Sequence, residues 1–171
     1  MKKFLLSTLV LLSVMCIMPA QAQKCKYQFD KKDPITGERV RRNFHAINLW
    51  AKMALYRAND DIRFELNMAR GGEDNFSIPI GTKVFIKLED ESILELESAN
   101  KAVPVSFVAG NQIASSFAVS YYITKEQMQK IATNGITFIK AMLIEDLSMN
   151  YEISSRKSKK IKKSALCMIQ D

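Results

Sequence analysis

The chain has 171 residues, of which 47% are hydrophobic and 25% charged, with a formal net charge of +7 and three cysteines. A chain of this size is one ordinary domain, able to bury roughly 68–70% of its unfolded surface, so its core needs neither metal nor dense disulfides. It holds one histidine, His45, and no closely spaced Cys/His cluster, which argues against a structural zinc site.

Residues 1–22 read as a cleaved secretory signal peptide. Lys2 and Lys3 form a positive n-region, Phe4 to Met18 is an apolar run of 15 residues, and Ala20-Gln21-Ala22 supplies a small-x-small cleavage site. A spanning helix needs about 20 apolar residues, and no second apolar run of that length follows, so no transmembrane segment is expected. Lipidation is disfavoured, because Met15 precedes Cys16 and Lys24 precedes Cys25 where a lipobox wants a small residue. The expected product is a single β-rich domain over residues 23–171, exported to the periplasm or beyond. Its two cysteines, Cys25 and Cys167, lie near its two ends, and an isolated pair in an oxidising compartment is expected to bond.

In chain order, the turn Asp33-Pro34-Ile35-Thr36-Gly37 follows a short run from Lys26 to Asp30 and predicts a hairpin or loop between two early strands. Arg39 to Tyr56, with the single tryptophan Trp50, reads as strand, although Phe44, Ala46, Leu49 and Met53 also fit a helical stripe. Ile62 to Met68 alternates apolar and polar residues, the pattern of a half-buried antiparallel strand, and Gly71-Gly72 ends it. Lys83 to Leu88 and Ile93 to Glu97 flank a polar connection of hairpin length, and Val105 to Ala109 and Phe117 to Ile123 flank Gly110-Asn111.

Thr124 followed by Gln127 spells a capping box, and Asn134-Gly135 a stop, so a helix lies between them with Met128 and Ile131 on its buried side. Ile136 to Ile144 reads as a largely buried strand, Leu147 to Asn150 as a loop, and Tyr151 to Ile153 as a short strand. The last segment is a candidate helix, with Ile161, Ala165, Met168 and Ile169 at helical spacing. The sum is mainly antiparallel β, a sandwich or strongly curved sheet with one or two short helices. The alternative class is α+β.

Six cations, Arg156, Lys157, Lys159, Lys160, Lys162 and Lys163, fall within eight residues near the end. Removing Lys2 and Lys3 lowers the net charge from +7 to +5, and setting the six aside leaves −1, so the basicity is local. These residues are the candidate anion-binding site, for lipopolysaccharide phosphate, anionic lipid or an acidic partner. A solvated helix face is the plainer alternative. No aromatic residues interleave with them to stack bases, so nucleic acid is not an expected partner.

The sequence has no G-x-S-x-G elbow, P-loop, G-x-G-x-x-G or H-E-x-x-H, and a Ser-His-Asp arrangement would depend on His45 alone. No catalytic residue, metal ligand or cofactor is assigned. Glu89, Asp90, Glu91, Glu145 and Asp146, and the possible calcium ligands Asp30, Asp33, Asn59, Asp60 and Asp61, all sit at expected turns. A hydrolase with a dispersed carboxylate pair would leave no local motif, and it stands as a third reading.

The signal peptide, the early cysteine, D-x-x-D-P-x-T-G-E at Asp30 to Glu38, Ile123-Thr124-Lys125-Glu126-Gln127 before the strand from Ile136, and the Lys-rich end before Cys167 together resemble small uncharacterised exported single-domain proteins of Bacteroidetes-type bacteria. The resemblance implies export and paired cysteines, and it brings no activity with it. The leading expectation is an exported, non-enzymatic binding or interaction domain of the cell envelope, facing an envelope protein or glycan. The polyanion-binding reading is the alternative.

Overall fold

The computed structural model describes residues 25–170, so the expected signal peptide and Cys16 lie outside the described residues. Two antiparallel sheets and two helices enclose one core. The first sheet has six strands in the order β1-β2-β3-β4-β8-β7 and curls into a half-barrel. Its strands are β1 (Phe29–Lys32), β2 (Arg39–Ala46), β3 (Ala51–Ala58), β4 (Asp61–Gly71), β7 (Val105–Ala109) and β8 (Gln112–Tyr122). The second sheet runs β10-β9-β5-β6, from β5 (Lys83–Leu88), β6 (Ile93–Glu97), β9 (Ile136–Ile144) and β10 (Leu147–Glu152).

Local chemistry sets the turns. Asp33 Oδ1 accepts from the N–H groups of Ile35 (2.8 Å) and Thr36 (2.7 Å), closing the β1–β2 hairpin as an Asx turn. The Arg39–Tyr56 run is two strands and not a helix. β2 and β3 pair along their length, and residues 47–50 form the bend between them. In the β7–β8 hairpin Gly110 takes φ 65, the left-handed value that the first central position of a two-residue type II′ turn demands.

The core follows from alternation in register. Leu55, Phe64 and Tyr121 lie side by side across β3, β4 and β8, as do Met53, Leu66 and Val119 in the next row and Ala51, Met68 and Phe117 beyond it. All nine are essentially inaccessible to solvent, and full burial of one large apolar side chain stabilises by about 1.5–3 kcal/mol. Val84, Ile86 and Leu88 of β5 and Ile139, Ala141 and Leu143 of β9 complete the same cluster from the second sheet.

Helix α1 (Lys125–Asn134) carries the expected capping box: Thr124 Oγ1 accepts from Gln127 N at 3.2 Å and Gln127 Oε1 accepts from Thr124 N at 2.9 Å. Helix α2 (Ser155–Ile169) buries Ile161, Ala165, Met168 and Ile169, the four residues whose spacing predicts it. Where α1 stops, Gly135 (φ 76, ψ 179) lies against α2. Ser158 Oγ there donates to Glu89 Oε1 (2.7 Å) and accepts from Ile136 N (3.1 Å).

Two boundaries differ most from the sequence reading. Residues 147–150 are strand and not loop: only Glu145 and Asp146 form the turn, and β10 starts at Leu147 with a bulge at Leu147/Ser148 that offsets its register. β8 starts at Gln112 and not at Phe117, because the two-residue turn launches the strand at once through a small, weakly patterned stretch.

Cys25 and Cys167 form the expected disulfide, Cα to Cα 5.5 Å, across 142 residues of sequence. It joins the chain just before β1 to the last turn of α2. Tyr27 Oη donates to Cys167 O (2.8 Å) and Arg57 Nη1 to Met168 O (2.8 Å) at the same place. No helix of the described residues is long and apolar enough to cross a membrane.

Candidate functional site

On the face of the first sheet turned away from the core lies an open apolar hollow of about 700 Å³. Its floor is two cross-strand rows. Lys52, Asn67 and Ala118 align across β3, β4 and β8, and Ala69, Ser116 and Val105 align across β4, β8 and β7. One wall is the β2–β3 bend, where Trp50 N donates to Asn48 Oδ1 (2.9 Å) and Trp50 O accepts from Ala69 N (2.7 Å), fixing the tryptophan's backbone to β4. The other wall is Val103, Val105 and Phe107.

Large apolar side chains crowd this hollow without being covered. Leu49 is 89% exposed, Val105 65% and Val103 62%, and Trp50 and Phe107 are about two-fifths exposed. Exposed apolar residues scattered singly need no explanation, whereas a contiguous set around a concavity marks a binding surface. The charged residues of the lining are Lys52 and Lys101, both exposed cations. The sequence reading missed the hollow because its residues come from four separated segments. The available signal was the 23-residue stretch 102–124, which carries no charge while its apolar residues alternate only in part.

The six basic residues do not act as one group. Arg156, Lys159, Lys160 and Lys163 lie at i, i+3, i+4 and i+7 of α2 and form a single exposed stripe about 10 Å long. Lys157 and Lys162 turn back onto the fold: Lys157 Nζ donates to Ile47 O (2.5 Å), and Lys162 Nζ lies 3.5 Å from Glu89 Oε2. A smaller hollow of about 240 Å³, lined by Arg39, Arg41, Arg57 and Asn59, adds cations that the sequence count did not connect. Arg39 there is bidentate to Asp30, and the Arg41 guanidinium sits 5.1 Å over the Tyr27 ring.

His45 faces α2, its Nε2 3.0 Å from Ser164 Oγ, and burial together with the Lys160 charge lowers its pKa to about 4. At neutral pH it is therefore an uncharged packing group. Several of the acids at the expected turns, Asp30, Asp33 and Asp90 among them, are tied into structure. Asp90 accepts from the Ser92 hydroxyl (2.6 Å) and from Asn134 Nδ2 (2.5 Å), and the Ser92 bond leads the contacts that hold its carboxyl below the usual range. A catalytic acid needs the opposite shift. Asp30 is likewise lowered, first by its hydrogen bond to Arg39, and Asp33 by backbone N–H groups of Thr36 and Ile35. Among the described residues no group of three or more His, Cys, Asp or Glu is placed to hold a metal ion.

No protein-family model matches the chain, no curated protein matches its sequence, and no solved structure matches its fold.

Proposed function

We propose that this protein is an exported, non-enzymatic binding domain of the bacterial cell envelope, whose hollow beside Trp50 takes an apolar group carrying a negative end. The carrying observation is the concentration of uncovered apolar side chains around a concavity whose charged liners among the described residues, Lys52 and Lys101, are both cationic. An acyl carboxylate has the matching chemistry: its chain would cover Val105, Phe107 and Trp50, and its head would stay at the wet rim beside the lysines. A glycan fits less well, because beyond the two lysines the described lining offers few polar groups, the Asn67 amide, the Ser116 hydroxyl and the Trp50 indole N–H.

Trp50 is the single tryptophan, so it reports on the hollow directly. Titration with a bromine-labelled acyl carboxylate should quench its fluorescence saturably, and Val105→Asp should weaken binding at least tenfold. An unsaturable change, or one untouched by Val105→Asp, would refute the reading.

A second reading has its own observation in the exposed stripe of α2. Arg156, Lys159, Lys160 and Lys163 form no ion pair among the described residues and could meet a polyanion. Replacing these four by glutamine should abolish salt-dependent retention on a phosphate-rich matrix such as lipopolysaccharide. Retention that survives would leave the stripe a solvated face.

A further inference from the structure

We infer that β7 is the seam of a symmetric dimer, in which two copies of the chain pair their β7 edges antiparallel about Phe107. The inference is independent of what the hollow holds and rests on a different observation, the backbone of this strand.

Edge strands present unpaired N–H and C=O groups, and natural sheets guard them with charge, proline or bulges. Three of the four edges here are guarded. β1 carries Asp30, Lys31 and Lys32; β6 carries Glu95 and Glu97; β10 carries Glu152 and a bulge. β7, Val-Ser-Phe-Val-Ala, carries none of these, is exposed along nearly its whole length, and has no strand or bridge on its outer side among the described residues.

The hairpin dictates which groups face outward. A two-residue turn closes on a hydrogen-bonded pair, here Ala109 and Gln112, so Phe107 and Val105 also bond to β8, while Ser106 and Val108 point their N–H and C=O away. Ile113 O accepts from Gly72 N at 2.9 Å, on the side away from β7, which agrees with Val108–Ile113 being the non-bonded type of pair.

A two-fold axis at Phe107 sets Ser106 of one copy against Val108 of the other, and the reverse. All four outward groups of those residues are then satisfied by four hydrogen bonds. Registers centred on Ser106 or Val108 use these groups less well: the first sets Val108 against Pro104, which has no N–H, and the second sets Ser106 against the turn residue Gly110. The central register also brings the two Phe107 side chains together as a cross-strand aromatic pair.

Symmetry and electrostatics favour a second copy as the occupant. On the axis Phe107 meets its own duplicate and on either side Ser106 meets Val108, and although the chain carries a net charge of +7, residues 102–124 carry no charge at all, so two copies can join this edge with no like-charge pair across it. Val108 is 74% exposed and Ile113 beside it 52%. Dimerisation covers part of that surface, and the short seam places the association in the weak, micromolar class.

The test is sedimentation equilibrium of the disulfide-bonded protein from about 1 to 500 μM, with hydrogen exchange at the Ser106 and Val108 amides. The expected result is a monomer–dimer equilibrium in which these two amides gain protection as concentration rises. Ser106→Pro removes an N–H that the single chain does not use, and should raise the dimer Kd at least tenfold without altering Trp50 fluorescence. If that variant fails to fold, a charge pair keeps the test open: Phe107→Lys and Phe107→Glu should each be monomeric and should associate when mixed. A wild type monomeric throughout, or a dimer indifferent to Phe107→Lys, overturns the inference. Protection of the two amides only on adding a peptide that copies residues 105–109 would assign the edge to a foreign strand and overturn it equally.

Discussion

Gly135→Ala is the most informative single change for the fold. Gly135 ends α1 at φ 76 and ψ 179, a region essentially reserved for glycine, where another residue costs about 1–3 kcal/mol. A Cβ at that position would lie 2.3 Å from Ser158 Oγ and 2.9 Å from Lys162 Cδ, and relieving such overpacking costs a further 1–3 kcal/mol or so. The expected destabilisation is about 2–6 kcal/mol in urea unfolding, or roughly 5–20 °C in Tm for a domain of this size. Ser158→Ala supplies the control. Alone it should cost about 1–3 kcal/mol, because the buried N–H of Ile136 loses its acceptor. Combined with Gly135→Ala it removes the nearest obstruction, so the glycine substitution should cost about 1–2 kcal/mol less there, leaving mainly the backbone term. Effects that add to within about 0.5 kcal/mol would refute the packing of α1's end against α2.

Three further outcomes are expected. Replacing Cys25 and Cys167 together by alanine should lower stability by about 2–4 kcal/mol: the chain-entropy value for so long a loop is about 5 kcal/mol, reduced because Tyr27 and Arg57 still hold the end of α2. A urea midpoint unchanged within error would contradict the staple. Intact mass of the protein from its host should correspond to a chain starting at Gln23 that gains two alkyl groups only after reduction; a mass that retains residues 1–22 would overturn export, and free thiols without reductant would overturn the bond. For His45 the unfolded chain binds a proton near pH 6.5 and the folded chain only near 4, so the stability it contributes is full above about 6.5 and is lost as pH falls toward 4. Partial exposure limits the effect to about 1–3 kcal/mol, and His45→Gln should flatten the stability profile in that window. A parallel profile would show that other groups govern it.

The parts of the fold readable from sequence are those whose signal is local. Ile62 to Met68 shows its buried face through strict alternation, Thr124 and Gln127 spell the cap of α1, and Ile161, Ala165, Met168 and Ile169 mark the buried side of α2. β10 has the same local alternation, Leu147, Met149 and Tyr151 against Ser148, Asn150 and Glu152, but the acidic turn residues Glu145 and Asp146 directly before it make its first residues resemble a longer loop. The basic segment illustrates the limit. Its six cations are one run in sequence, yet helical periodicity sends four to solvent and returns two to Ile47 and Glu89, contacts set by tertiary packing. The hollow had still less local signature, because Trp50, Asn67, Val103 and Phe107 meet only when four strands and two connections are assembled.

The molecule is therefore asymmetric in how its surface is held. Arg39–Asp30 joins β2 to β1, Arg42–Glu65 joins β2 to β4, Glu89–Lys162 ties the β5–β6 turn to α2, and the disulfide secures the end of that helix. The β7–β8 hairpin has no charged residue with which to join such contacts. Folding alone does not account for that choice. Val108 and Ile113 gain little burial in the single chain, so a lysine at either position would cost the fold almost nothing and would guard the edge. Their apolar character has an energetic consequence only when something covers them. The same holds for Leu49, Val103 and Val105 around the hollow, and the two surfaces meet at Phe107, which lines the hollow and marks the centre of the edge.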